Sequence, residues 1–429
     1  SIARFLAFRF GHTERSFFRQ VRELPPAHFL EVSPTGVRVE PYWRFRRRSS
    51  ARSRSPEEIR GAFLGHLRSA VESDVADLEP EQVAVSLSGG LDSTAVAALA
   101  PRGVHTFSWT LVETPEGDER ASVEAVARWL SLRHEWVRGD GHYPLAGDFV
   151  DRFVGESSPY VNAFAGLKAA LYSVARARGC ERVLVGDGGD TLYAAREYWL
   201  RDALATGRPW AIVSLLRTIQ GAVRDENGLA RAALARLLLV RNLRNKLRGD
   251  HVPWLTKMAR SAVPRSVNAP ILPSGRGAAR YELSVGAKHV ELESEERRLF
   301  DLCGVDRGNP FWSWPLLEMA IQLPAYWHHR DGRNKVLSRE ALRGLLPKEV
   351  LESPRIGLLG TFFLRGIELR RDDLRQTVFR HPRSDWQRFV RREWLEPFLE
   401  NTGAIAFGHT ILWRVICYEL WTRRLVGAV

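Results

Sequence analysis

Between residues 83 and 185, short apolar runs alternate with stretches of helical periodicity, and this pattern constrains the fold more than any other feature of the chain. Residues 83–87, 104–109, 134–137 and 182–185 have the length and apolar content of buried strands. Residues 93–100, 119–130 and 166–178 carry the longer helical pattern between them. Strands without a polar face, each followed by a helix, favour a parallel sheet covered on both sides. Upstream, Ser55-Pro56-Glu57-Glu58 reads as a helix start, with a Ser cap, Pro in the first turn and Glu three residues after the cap. Ile59, Phe63, Leu67 and Val71 then recur on one face. Beyond residue 195, Ala-, Leu- and Arg-rich segments predict a mainly helical C-terminal half. The expected fold class is therefore α/β, a parallel sheet with a helical C-terminal half. In the first 45 residues, 5–10, 29–32 and 37–39 read as short strands, broken by Pro25-Pro26 and Pro34-Thr35-Gly36. Residues 1–45 are expected to form a small β segment, 46–55 an Arg- and Ser-rich linker, and 56–429 the main domain.

Composition closes off other classes. A hydrophobic share of 45% with 26% charged residues is that of a soluble globular chain, not a disordered or collagen-like one. No run approaches the ~18 uncharged apolar residues of a membrane helix; Leu237 to Val240, the most apolar, is bracketed by Arg236 and Arg241. The three cysteines, Cys180, Cys303 and Cys417, are scattered and odd in number, which fits a reducing compartment and argues against zinc. No signal-peptide pattern opens the chain, so a cytoplasmic location is expected; the absence of an opening Met fits a fragment or a processed product. The net charge of +13 is almost all arginine, with only six lysines, a signature of GC-rich coding more than of a nucleic-acid surface. No nucleic-acid or membrane partner is expected.

The strongest local signal is Ser88-Gly89-Gly90-Leu91-Asp92-Ser93, directly after one predicted strand and directly before a helix. Glycines let backbone N–H groups approach a phosphate, the two hydroxyls add donors, and the helix N-terminus adds positive potential. Asp92 would repel a phosphate unless a divalent cation lay between them, which implies Mg²⁺. A second loop, Val185-Gly186-Asp187-Gly188-Gly189-Asp190, also ends a strand, so both loops can lie at the carboxyl edge of one sheet, with Asp190 facing Asp92. A third segment, Asp331-Gly332-Arg333-Asn334-Lys335, carries one of the six lysines; taken alone it reads equally as a turn before an amphipathic helix.

The SGGLDS stretch resembles the PP-loop of ATP pyrophosphatases (adenine nucleotide α-hydrolase-like proteins), which cleave ATP between the α and β phosphates and activate a carboxylate or carbonyl as an adenylate for attack by nitrogen. The GK[ST] ending of a Walker loop is absent. The three stretches in this order resemble the synthetase domain of the asparagine synthetase B family, and the likeness extends through residues 304–323, with Asn309-Pro310-Phe311. The opening, with Phe5-Leu6-Ala7-Phe8, Leu24-Pro25-Pro26-Ala27-His28 and Tyr42-Trp43, is similar to the tail of that family's glutaminase domain. The resemblance implies that Ser88, Gly89, Gly90, Asp92, Ser93, Gly186 and Asp187 bind ATP, with the backbones of Leu87 and Trp109 at the adenine. It implies Mg²⁺ at Asp92 and Asp190, and a lysine for the pyrophosphate at Lys335. Asp187 falls where asparagine synthetase has Glu and β-lactam synthetase has the Tyr of its catalytic dyad. Arg355 falls where both place a second lysine. Asp187, Lys335 and Arg355 are thus the implied catalytic residues.

Departures from the pattern shape the expected function. Gly308 stands where the family has Arg, Arg355 cannot act as a base, and Asp187 is shorter than Glu. The first cysteine is Cys180, whereas the family's glutaminase nucleophile is an N-terminal Cys. These features argue against asparagine synthesis and for relatives that use an amine already on the substrate, the β-lactam synthetases and above all the lasso-peptide cyclases. The expected enzyme is an ATP-dependent, AMP-forming carbon–nitrogen ligase that closes a macrolactam between an Asp or Glu side chain and the N-terminal amine of a precursor peptide. Its expected partners are that peptide, a leader-binding protein and a leader peptidase. A glutamine-dependent asparagine synthetase or other amidotransferase cut short, a β-lactam synthetase-like ligase, and a non-catalytic peptide-holding scaffold remain as alternatives.

Overall fold

The structure, a computed structural model, describes residues 1–8, 15–43, 54–194, 252–263, 287–330, 333–352, 359–381, 384–397 and 406–427. A hairpin of β1 (His28–Ser33) and β2 (Gly36–Pro41) lies ahead of α2 (Pro56–Val75). The predicted capping box at the start of α2 is formed: Glu58 N–H donates to the Ser55 hydroxyl at 3.2 Å, and the Ser55 N–H donates to the Glu58 carboxylate at 2.6 Å. Ile59, Phe63, Leu67 and Val71 are buried along one face.

The central sheet has five parallel strands in the order β5-β4-β3-β6-β7, namely Arg133–Arg138, His105–Thr110, Val83–Ser86, Arg182–Leu184 and Asp306–Gly308. The helices α3 (Leu91–Leu99), α4 (Arg120–Leu130), α5 (Phe149–Phe153) and α6 (Ala165–Ala177) connect the first four in sequence, and α7 (Gly189–Leu192) follows β6. Alternation along β3 sends Val83 and Val85 into one core, with Phe63, Leu184, Phe311 and Leu337, and Ala84 into the other, with Phe107, Tyr172, Phe300 and Ile416. Both faces of the sheet are therefore covered, which is why its strands read as continuous apolar runs. The described chain beyond β6 is mainly helical, including Ala287–Cys303, Trp314–Gln322, Gly360–Leu369 and Ala406–Leu425. Among the described residues, no helix is long and apolar enough to cross a membrane.

The amino terminus differs from expectation. Where residues 5–10 read as a strand, α1 (Ile2–Leu6) is helical; residues 9 and 10 lie outside the described residues. The spacing Ile2, Phe5, Leu6 serves a helix face as well as a strand, and tertiary contacts decide: Phe5 packs edge-on against Tyr160, and the Trp254 indole N–H donates to the Leu6 carbonyl at 2.9 Å. β7 has three residues and was not anticipated, because Asp306, Arg307 and Gly308 carry no strand pattern. Among the described residues it pairs with β6 alone, at an edge of the sheet.

The order of strands fixes where a ligand can bind. From β3 the chain builds outward to β4 and β5 on one side, then returns to place β6 and β7 on the other. The loops that leave the carboxyl ends of β3 and β6 therefore diverge, and the crevice between them is the switch point of an open α/β sheet.

Candidate active site

Both glycine-rich loops open onto that crevice. After β3, the Leu87 N–H donates to the Phe107 carbonyl at 2.9 Å and the Ser108 hydroxyl donates to the Leu87 carbonyl, so Leu87 is fastened to β4 and buried. The loop then folds on itself. The Ser88 N–H donates to the Ser93 hydroxyl at 3.1 Å, and the two serine hydroxyls stand 2.9 Å apart. Gly90 caps α3, whose first-turn N–H groups have no partner within the helix ladder and so face the crevice end as donors. Trp109 lies near the carboxyl end of β4, half-buried, in register with Val137.

The second loop packs directly on the first. A Cβ on Gly186 would stand 2.6 Å from the Ser93 backbone nitrogen, and a Cβ on Gly189 would stand 2.2 Å from Cγ of Asp92. Glycine is required at both positions because the loops approach closer than any side chain allows. The expected convergence of Asp92 and Asp190 is realised, but through a third group. The Lys335 ammonium lies 2.6 Å from Oδ2 of Asp92 and 2.8 Å from Oδ1 of Asp190. Lys335 enters from the turn between β9 (Arg333–Asn334), paired with β8 (His329–Arg330), and the helix Val336–Ala341. Its backbone is left-handed, φ 55° and ψ 43°, and its N–H donates to the His328 carbonyl at 2.8 Å.

Burial separates the three charges. The side chains of Asp92 and Lys335 are 10% and 12% exposed, whereas that of Asp190 is 70% exposed. Burial pushes the Asp92 carboxyl above its ordinary range, partly offset by Lys335 and reinforced by Asp190. Burial pulls the Lys335 ammonium down, but Asp92 and Asp190 together hold it above the ordinary lysine value. The lysine is therefore firmly cationic. Oδ1 of Asp92 is buried without a hydrogen-bond partner. One orphaned carboxylate oxygen beside a second, exposed carboxylate fits a hard divalent cation whose remaining ligands are phosphate oxygens and water. Among the described residues, no group of three or more His, Cys, Asp and Glu is arranged to hold a metal by protein ligands alone.

Asp187 takes a different direction. Its Oδ2 accepts from Nη2 of Arg307 at 3.0 Å, and Nη1 of the same guanidinium donates to Glu293 at 2.6 Å. Nearby, Lys168 pairs with Glu296 at 2.8 Å, and the Asn162 amide donates to the other oxygen of Glu296 at 2.5 Å. Burial would push the Asp187 carboxyl up, but Lys168 and Arg307 outweigh it and hold the group below the usual carboxylate range. The structure thus brings Asp92, Asp190 and Lys335 together, and gives Asp187 to a separate cluster on β7, α6 and the helix Ala287–Cys303. Arg355 lies outside the described residues. Sequence reasoning missed Lys168, Glu293, Glu296 and Arg307. The rarity of lysine was a usable signal for Lys168; Arg307 was hidden among many arginines. A cavity of about 380 Å³, lined by His142, Asp148, Phe149, Arg152 and Ala170 among others, lies between α5 and α6 and contains none of these groups.

A parallel sheet with two glycine loops at its switch point places two carboxylates and a buried lysine in the crevice where open α/β folds bind their ligands. Residues 62–423 match the asparagine synthase family, and the chain belongs to that family, whose members are ATP-dependent amide-forming ligases. A comparison with curated proteins finds no match.

Proposed function

We propose that this chain activates a peptide carboxylate with ATP, as an acyl-adenylate with release of pyrophosphate, and transfers the acyl group to the same peptide's N-terminal amine, closing a macrolactam of the lasso type. The observation that carries the activation step is the meeting of Asp92, Asp190 and Lys335 beneath the two glycine loops. In this reading Ser88, Gly89, Gly90, Ser93 and Gly186 line the phosphates, and Leu87 and Trp109 border the adenine. Asp92 and Asp190 would hold Mg²⁺, which when bound supplies charge neutralisation at the phosphate oxygens. Lys335 stabilises the departing pyrophosphate, and a preorganised cation in that position is worth roughly 3–4 kcal/mol. Arg355 is the proposed second cation.

Asp187 is proposed to orient the incoming amine. Arg307 and Lys168 make it a weak base, so charge attraction to an ammonium suits it better than proton abstraction. All three cysteines are buried, with Cys180 pushed up to about 11 by burial, so they offer no thiolate for glutamine hydrolysis. A tethered amine needs none, since a well-oriented intramolecular attack gains roughly 7–11 kcal/mol over a free nucleophile.

The test is mass spectrometry of synthetic peptides carrying an internal Asp or Glu, incubated with ATP and Mg²⁺, with the N-terminus free or acetylated. The expected result is loss of one water from the free peptide, with AMP and pyrophosphate as products, and no reaction of the acetylated one. Cyclisation of the acetylated peptide, ADP as product, or amidation of free aspartate by ammonia would defeat the macrolactam reading.

A further inference from the structure

We propose that in the nucleotide-free protein Lys335 acts as a plug: its ammonium fills the cation position between Asp92 and Asp190, so that the pair accepts a divalent ion only together with a nucleotide's phosphates. This rests on the metal–ATP reading of the site and adds an order of binding to it. The ammonium makes two charge-assisted contacts, 2.6 Å to Asp92 and 2.8 Å to Asp190. A magnesium ion bridging the same two carboxylates would stand roughly 2.0–2.1 Å from each ligand oxygen. An ion that took Oδ2 of Asp92 and Oδ1 of Asp190, the two oxygens the ammonium now holds, would have to occupy the space the ammonium fills.

The plug is held at both ends. At its backbone, the left-handed Lys335 receives the Asn334 side-chain oxygen as acceptor at 3.1 Å and the His328 carbonyl at 2.8 Å. At its tip, the ion pairs of Lys335 among the described residues are with these two carboxylates. A bare divalent ion must therefore expel a buried cation from its partners while gaining only two carboxylates itself. The guanidinium of Arg339 adds positive potential at the same carboxylates and opposes that exchange further. A triphosphate changes the balance, because its oxygens give the ammonium new anionic partners and complete the ion's ligand shell. Oδ1 of Asp92 is buried and unpartnered even with the ammonium in place; alone it offers a bare ion a single oxygen beside that cation, and phosphate oxygens are needed to complete a ligand shell there.

The experiment is Mn²⁺ binding followed by electron paramagnetic resonance of the free ion, with the full chain alone and with α,β-methylene-ATP. Lys335→Met and Lys335→Gln are compared with wild type, and thermal melting confirms that each variant is folded. The expected result is that both variants bind Mn²⁺ without nucleotide about tenfold more tightly than wild type, or better, the change that loss of one charge-assisted contact to the carboxylates corresponds to. Adding Asp92→Asn should abolish that gain. The proposal is overturned if wild type takes Mn²⁺ with the analogue but neither folded variant gains nucleotide-free affinity. If wild type takes no Mn²⁺ even with the analogue, the metal–ATP reading itself fails and the plug falls with it.

Discussion

Replacing Gly189 with alanine tests the site's geometry with one methyl group. A Cβ there would stand 2.2 Å from Cγ of Asp92 and 2.3 Å from its Oδ2, where ordinary contact begins at 3.4 Å. Asp92 must retreat by rather more than an ångström, or the second loop must lift away. Neither is easy, because Asp92 lies in the first turn of α3, is 10% exposed, and is tied to Lys335. The backbone of Gly189 is not left-handed, so the effect is steric alone. Overpacking of this kind costs about 1–3 kcal/mol. A displacement of about 1 Å at a reacting centre costs about 10²-fold in rate. Gly189→Ala should therefore lower stability in denaturant melts by that amount and lose most of the thermal shift that MgATP gives the wild type. Gly61→Ala, in the open middle of α2, serves as control and should stabilise by about 0.5–1 kcal/mol through helix propensity. The decisive measurement is the double-mutant cycle with Asp92→Ala. With the Asp92 carboxyl gone, the alanine at 189 has room, and its stability cost should shrink toward zero. An unchanged cost in that background, or a wild-type MgATP response in Gly189→Ala alone, would refute the packing of the two loops described above.

Three further outcomes follow from charges away from the lysine bridge. Burial raises the Asp74 carboxyl to about 6, so the native state holds its proton more tightly than the unfolded chain, and stability should fall as pH rises from about 4 to about 6. Asp74→Asn should recover up to about 3 kcal/mol above pH 6 in denaturant melts and flatten that slope; an unchanged slope would place the titration elsewhere. Lys168→Met leaves Glu296 buried with, among the described residues, the Asn162 amide as its hydrogen-bond donor, and should cost about 3 kcal/mol, with Glu296→Gln in the same chain restoring much of it. Arg307→Met removes the guanidinium beside Asp187, so the acidic limb of the pH–rate profile for macrolactam formation should move to higher pH, while Arg307→Lys should move it less.

What was legible in the sequence, and what was not, divides along the range of the forces involved. The strands 83–87 and 182–185 could be read because burial on both faces leaves a local apolar run, and they are observed as Val83–Ser86 and Arg182–Leu184. The glycine loops could be read because close backbone approach demands glycine whatever surrounds it. β7 could not, because an edge strand of three residues is specified by its partner β6 and not by its own side chains. Nor could α1, whose apolar spacing suits a strand or a helix until Trp254 and Tyr160 choose between them.

The hardest part to foresee was the destination of each charge. Asp187 and Asp190 sit three residues apart in one loop, and sequence alone assigns both to the nucleotide. In the folded chain they answer to different cations, Arg307 from β7 and Lys335 from beyond β9. Between them the backbone turns at Gly188, φ 97°, into α7, where Gly189 is pressed on Asp92, and the two carboxylates go to different partners. One short loop thus contributes to two charge clusters: a buried lysine between two aspartates, and a mixed group of three carboxylates with Lys168 and Arg307. In the proposed reaction the first cluster would meet the phosphates and the second the incoming amine, and the Gly186 to Asp190 loop is the element that joins them.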